Sequence, residues 1–490
     1  MILLILLLLP LLAGLACFAI RSPRVLEWVN VSLAVFLCAL AAVLGQRIIA
    51  HGPINAFDDF LYADALSALV VGLTAFVSLV SAIYAVGYFR RDLASHRITA
   101  AQFHRYYALT PLFIFAMLLV ALANNLGVMW VAIEGTTLAS VLLIAFYNEK
   151  TSLEAAWKYI IIGSVGITLA LFGTILTYYA ASEALGPHAG HGLHWSVLIA
   201  HAGQFKVEAM RLAFVLVLVG YGTKAGLAPM HTWKPDAYAE APVPAAALLG
   251  AGVINCALYG IIRFHALAAQ CLGHDFSGNL LVFFGVASIL IAAPFVIVQR
   301  NFRRLLAYSS IDHAGIMVAA LGFGGKLGAL AALLHMLFHA VTKPLAFFCA
   351  GNVQQHFGTP YLRKVTGAIH TLPWTAALFL MVTFAMTGSP PFSIFQSEFT
   401  ALSAALAAGH TWAAVLFVIG VVAIFAGFLV HISKLTLGTP RHDAPPGREC
   451  PWKLGAMLLV CVPVLAFGFV LPEPIYRLIE EAALLIGGAS

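Results

Sequence analysis

Several ionisable side chains stand in apolar stretches that offer them no obvious water, and they are of the kinds that exchange protons. Glu134 lies well inside VMWVAIEGTTLASVLL (Val128 to Leu143). A charge at the centre of a membrane helix costs at least ~2.5–3.5 kcal/mol on insertion scales, so a carboxylate kept there is a functional candidate. The alternative, an interfacial carboxylate reaching for water, asks too much of so short a side chain. Lys224 lies in GYGTKAGLAPM (Gly220 to Met230). Apolar surroundings make an ammonium give up its proton more easily and a nearby carboxylate makes it hold on, so moving one against the other switches the lysine; a static ion pair is the alternative. In LLHMLFHAVTKPLAFF (Leu333 to Phe348), His335, His339 and Lys343 recur at spacing four. That puts successive members about 6 Å apart along one helix face, as a water-bridged proton row requires. A metal pair of histidines would want a glutamate between them, which is missing, and Pro344 distorts the helix beside Lys343. Glu398, in SPPFSIFQSEFTAL, ends the row on this reading, or sits near the far interface.

Other residues are candidates for admitting or gating protons. Lys158, in EAAWKYIII, stands close enough to its helix start to snorkel outward. Asp312 and His313, in YSSIDHAG, admit protons or satisfy a helix end. HTWKPDAYAEAPVP (His231 to Pro244) structures the turn after the interrupted helix, with His231 a gating candidate and Asp236 and Glu240 at the cytoplasmic mouth. No residue pattern suggests a catalytic centre, a cofactor or a metal site in this chain.

The elements that hold these residues follow from composition. Of 490 residues, 62% are hydrophobic and only 9% charged, with mean hydropathy +0.96. A soluble domain carries roughly 25% charged residues, so the chain is an integral membrane protein of all-α class, with about 14 spans of ~20 residues each. Nucleic-acid binding, a secreted disulfide scaffold and a soluble enzyme are excluded. The seven cysteines show no CxxC spacing, which argues against disulfides, zinc and iron–sulfur ligation. Met1 to Ile20 lacks a basic n-region and reads as a retained first helix rather than a signal peptide. The loop PHAGHGLH (Pro187 to His194) reads as a solvated connection rather than a metal site.

Two spans carry interruptions in comparable places, GYGTKAGLAPM and TGSPPFS (Thr387 to Ser393). Gly and Pro within membrane helices, once in each half, point to discontinuous helices of an inverted-repeat transporter. The organisation expected is three N-terminal helices over 1–104, a conducting core over 105–435 (repeats of about 105–268 and 277–435), and a loop with a last span over 436–490. About 17 basic residues fall on the side of the Arg90–Arg105 loop and roughly six on the other, which puts that side in the cytoplasm and both termini outside it.

WVAIEGTTLAS, TSLEAAWKYIIIGSVGITLALFG, GYGTKAGLAPMHTWKPDAYAEAPVPAAALL, RRLLAYSSIDHAG, LLHMLFHAVTKPLAFFCAGN and TGSPPFSIFQSEF occur in this order. Together they resemble the antiporter-like proton-translocating membrane subunits shared by respiratory complex I, multisubunit sodium/proton antiporters and group 4 hydrogenases. Within that family the likeness is strongest to the hydrogenase-4 branch. It implies 14 transmembrane helices with two inverted five-helix repeats, each with one broken helix. It also implies roles: Glu134 as the fifth-helix carboxylate, Lys158 the sixth-helix lysine and Lys224 the seventh-helix lysine. His335, His339 and Lys343 match the eleventh-helix row, and Glu398 the exit in the twelfth. There are two departures. Where several members carry His or Lys in the eighth helix, ALLGAGVIN offers Gly250, Gly252 and Asn255, so water would have to bridge there. Glu398 stands where some relatives have Lys.

The function implied is proton translocation within a redox-driven complex of the bacterial cytoplasmic (inner) membrane, of the hydrogenase-4/formate hydrogenlyase or NADH–quinone oxidoreductase kind. Its partners would be other membrane subunits, nickel–iron hydrogenase-like or quinone-reductase-like redox subunits, and lipids. Alternatives are a sodium/proton antiporter subunit, with sodium as a coupling ion, the membrane half of a proton-driven inorganic-carbon uptake system, and a non-conducting scaffold. Retained buried charges argue against the scaffold.

Overall fold

The computed structural model describes residues 1–186, 192–440 and 447–487; positions 187–191 of the His-containing loop and 441–446 of the last long loop lie outside the described residues. The first helices are α1 (Ile2–Ala19) and α2 (Pro23–His51). A small antiparallel hairpin comes next, β1 (Ile54–Ala56) and β2 (Leu61–Ala63), with Ile54 opposite Ala63. Then come α3 (Ala65–Ala94), α4 (Ala100–Leu122), α5 (Leu126–Ile144), α6 (Lys150–Leu185), the short α7 (Trp195–His201) and α8 (Val207–Ala225). The second half runs through α9 (Lys234–Glu240), α10 (Val243–Leu248), a π turn at Leu249–Val253, α11 (Ile254–Leu272), α12 (His274–Val298) and α13 (Phe302–Phe323). It ends with α14 (Gly325–Phe357), α15 (Pro373–Met386), α16 (Ser393–Ala407), α17 (Thr411–Leu437), α18 (Pro451–Ala466) and α19 (Glu473–Gly487).

Among the described residues, eleven helices are long and apolar enough to cross a membrane, counting Val243–Leu272 as one. The other three expected spans fall on α8, α15 and α18. The two interruptions are where the glycines and prolines put them. α8 stops at Ala225 because Gly226 turns left-handed (φ 76°), a conformation with little penalty for glycine; α9 begins at Lys234, after eight intervening residues. α15 stops at Met386, and Gly388 (φ 67°) and two prolines separate it from α16.

The hairpin, the π turn and the amphipathic α19 go beyond what the sequence pattern announces. α19 lays Ile479, Ala482 and Ala483 against the bundle and ties Glu480 to Lys326 at 2.7 Å. A second tie joins distant parts of the chain. Asp64, which caps α3 by accepting from Ser67 N–H at 3.0 Å, receives both arms of Arg263 on α11 at 2.7 and 2.8 Å. Both residues are buried, and Arg263 also lies 4.0 Å from the Trp195 ring centroid.

Helix contact sets the geometry of the interior. α6 and α8 meet so closely that a Cβ on Gly220 would stand 2.6 Å from the Ala170 nitrogen and the Gly166 oxygen. α13 and α14 are buried along almost their whole length. By contrast Ile161, Val165 and Phe172 on α6 and Val418, Val422 and Val430 on α17 face outward. In a water-soluble protein so much exposed apolar surface would drive association; here it is what lipid or a neighbouring subunit covers.

Candidate functional site

The candidate residues gather mainly in two buried polar clusters. The first hangs between α5, α6 and α8. Lys224, buried one residue before the end of α8, donates to the Thr137 hydroxyl at 2.8 Å and the Tyr159 hydroxyl at 2.6 Å. Thr137 in turn donates to Glu134 Oε2 at 3.0 Å, one turn back on α5. Tyr159 meets Ser140 Oγ at 2.7 Å, and Ser140 donates to the Thr136 carbonyl. The carboxylate and the ammonium are therefore not joined as a direct ion pair. They are at most 5.8 Å apart, the 2.8 and 3.0 Å bonds laid end to end, with one threonine hydroxyl serving both.

The second cluster is built on α13, α14 and α16. His313 Nδ1 and His335 Nε2 are 2.9 Å apart, and His335 Nδ1 lies 2.9 Å from Ser397 Oγ, which donates to the Ile394 carbonyl. One set of tautomers satisfies every bond: His313 donates to His335, His335 donates to Ser397, and Ser397 donates to the backbone. His339 lies 5.0 Å from His313, ring centroid to ring centroid, and neither of its ring nitrogens has a partner among the described residues. Lys343 donates to the Ser309 hydroxyl and approaches the Met386 sulfur at 3.7 Å. Glu398 is 8% exposed and follows Ser397 on α16, and Asp312 is buried with Oδ1 unpartnered among the described residues.

The expected row along α14 is thus only half of the arrangement. His313 stands between His335 and His339, so the contacts run through α13 rather than straight down one helix face. Lys158 belongs to neither cluster. Its side chain is 45% exposed and pairs with Glu154 at 2.7 Å and Asp236 at 3.0 Å, and Asp236 also takes Arg304. Glu240, on the same short helix as Asp236, accepts from Thr151 at 2.9 Å. His231 is buried, with Nδ1 unpartnered among the described residues. Asn255 donates to the Ala251 carbonyl at 2.8 Å, and its own oxygen has no partner among the described residues.

Sequence reasoning missed the hydroxyl partners and one lysine. Thr137 and Tyr159 carry no charge, and such residues are common at helix contacts for packing alone. Lys234, in α9, reads as one more cation of a polar loop, yet it is completely buried; its Nζ donates to the Ala225 carbonyl at 2.6 Å and the Ser310 carbonyl at 3.2 Å.

Comparison with known proteins agrees with this architecture. The family described as NADH:quinone oxidoreductase/Mrp antiporter, TM, matches residues 123–424. A "Hydrogenase-4 component F homolog" of Methylacidiphilum infernorum is 34% identical over 467 residues, covering 95% of this chain and 96% of that one. Two solved structures share the fold: a chain of an archaeal membrane-bound sulfane sulfur reductase (TM-score 0.88, 22% identity, 99% and 97% of the two chains covered), and one of the Mrp complex from Dietzia sp. DQ12-45-1b (TM-score 0.86, 21% identity, 99% and 97%). Buried charges strung between interrupted membrane helices, in a chain matched over well more than half its length, make this protein a member of the NADH:quinone oxidoreductase/Mrp antiporter family, the antiporter-like subunits of multi-pass membrane complexes.

Proposed function

We propose that this chain moves protons as a membrane subunit of a redox-driven complex of the hydrogenase-4 or NADH–quinone oxidoreductase kind, in the bacterial cytoplasmic membrane, with both termini on the outer side and 14 spans in two inverted repeats. The observation that carries the proposal is the hydroxyl-bridged chain Glu134–Thr137–Lys224–Tyr159–Ser140. An ammonium held by two neutral hydroxyls depends on the nearby carboxylate for its charge. A partner-driven shift of α5, or protonation of Glu134, withdraws the support and frees the proton. The His313–His335–Ser397 chain, with His339 and Lys343 beside it, receives protons, and Glu398 delivers them. Asp236, with Lys158, Arg304 and Glu154, forms a charged mouth at one end of the path.

A subunit of a cation/proton antiporter is the second reading, favoured by the likeness to the chain of the Mrp complex. The decisive material is the tagged complex taken gently from native membranes. Hydrogenase-like or quinone-reductase-like proteins co-purifying with it, and vesicles that acidify or alkalinise during turnover, are the expected results. Lys224→Ala should abolish that pH change in an assembled complex; a Lys224→Ala complex that pumps normally sinks the proposed switch. Sodium-dependent exchange with no redox subunits present would move the assignment to the antiporter reading.

A further inference from the structure

No histidine, lysine or carboxylate stands on the helical stretch from α10 through the π turn to the start of α11. That stretch offers Gly250, Gly252 and Asn255 instead, and the Asn255 amide is turned back onto its own helix. Lys234 arrives from a different element. Its Nζ donates to two carbonyls, and each belongs to a different cluster's scaffold. Ala225 is the residue after Lys224. Ser310 is the residue after Ser309, whose hydroxyl takes Lys343, and it lies one turn before His313. Among the described residues no carboxylate pairs with Lys234, although Asp236 is two residues away: that side chain is turned outward to Lys158 and Arg304.

A plainer role exists. The carbonyl end of a helix carries partial negative charge, and Lys234 would then be a fixed cap on the broken end of α8. A cap needs a cation that never lets go of its proton, however, and arginine does that better than lysine, whose ammonium deprotonates readily in dry surroundings. We propose that Lys234 carries the proton from the first cluster to the second, taking the place of an eighth-helix basic residue. This rests on the proton-path reading above.

The transfer is a relay of one proton. The Lys224 ammonium gives a proton to the neutral Lys234 amine through an intervening water or hydroxyl, leaving a neutral Lys224 and a charged Lys234. Lys234 then gives a proton to an imidazole of the second cluster and returns to the amine. One positive charge is present before and after each step. Because like charges repel, the arrival of the next proton on Lys224 favours departure from Lys234.

Lys234→Gln and Lys234→Arg test it in the tagged complex, reconstituted into vesicles and driven by its own electron donor, with an internal pH-sensitive dye as readout and Lys224→Ala as reference. Gln keeps donors for the two carbonyls and leaves no unpaired buried charge; Arg keeps the charge and holds its proton. Both should lower proton translocation about a hundredfold while co-purifying subunits stay stoichiometric. Full pumping by the Arg variant shows a charge cap, and full pumping by the Gln variant shows that no proton carrier is needed at 234; either overturns the inference. Should the Arg variant fail to assemble, the Gln variant decides alone. If Lys224→Ala is inactive while the Lys234 variants pump, only the relay through Lys234 falls. If Lys224→Ala also pumps, the underlying path falls with it.

Discussion

Thr137 carries a single hydroxyl, and that hydroxyl meets two ions at once, accepting from Lys224 and donating to Glu134. The arrangement couples them without an ion pair. A direct buried pair holds both charges firmly, and removing one partner leaves the other stranded; a hydroxyl between them can turn, so the lysine can lose its proton while the carboxylate keeps its place. Thr137→Val keeps the shape and removes the hydroxyl. It should reduce proton translocation about tenfold or more while the complex still assembles, and Thr137→Ser should restore most of it. Vesicle acidification by the three proteins side by side measures this, and equal rates for Val and Thr would show that the hydroxyl is not the connector. The same logic explains what sequence alone could show at this scale. Glu134, Lys224, His335, His339 and Lys343 announce themselves because charges and imidazoles are out of place in apolar runs. Thr137, Tyr159 and Ser397 do not, because neutral hydroxyls are ordinary in membrane helices and their partners lie on other helices: Lys224 and Thr137 are 87 residues apart.

Helices position these groups through very short approaches. Gly220 and Gly166 let α8 and α6 touch backbone to backbone, one turn from Lys224 and two turns from Tyr159. A methyl group at Gly220 would collide with the Ala170 nitrogen and the Gly166 oxygen, neither of which can turn aside. Gly220→Ala should therefore cost about 1–3 kcal/mol of stability and spread the two helices. It should lower the midpoint of thermal unfolding in detergent and, by pulling Lys224 from Tyr159, slow proton translocation beyond what the stability loss explains. Gly72→Ala on α3, where a Cβ meets nothing within 4 Å, is the control expected to change neither. A Gly220→Ala protein with unchanged stability and rate would mean that α6 and α8 part without consequence. At the scale of elements the sequence is most legible, since long apolar runs and Gly/Pro interruptions have local causes. It is least legible where a polar segment folds inward. HTWKPDAY looks like a loop by its composition, yet Lys234 goes to the interior while Asp236 pairs outward with Lys158 and Arg304. The Asp64–Arg263 tie spans 199 residues, and nothing near either residue names the other.

Across the whole molecule, contacts sort the ends of the helices into two opposite faces. On one, Arg91 reaches the Gln355 carbonyl, Lys453 donates to the Gln355 side chain, Arg303 reaches Gln354, and Asn301 pairs with Tyr361. These contacts gather the loops after α3, α12 and α14 with the start of α18. On the other face, Leu61 of the hairpin pairs with Ala123, Asn124 binds the Asp59 carbonyl and Ser196, and Arg263 reaches Asp64. The first face holds Arg90, Arg91, Arg97, Arg300, Arg303, Arg304, Arg363 and Lys364, and the proposed orientation turns this basic side to the cytoplasm. Folding has therefore put the basic loops together rather than scattering them over both sides, as a single insertion topology requires. A cysteine placed at Thr359 should react with a membrane-impermeant maleimide in inverted vesicles and not in right-side-out spheroplasts. A cysteine at Asp58, in the exposed hairpin turn, should show the opposite pattern. Native cysteines replaced by serine or alanine keep the labelling specific. Labelling of both positions from the same side would break the two-faced arrangement, and a clean reversal would keep the fold but turn the direction of the proposed proton path around.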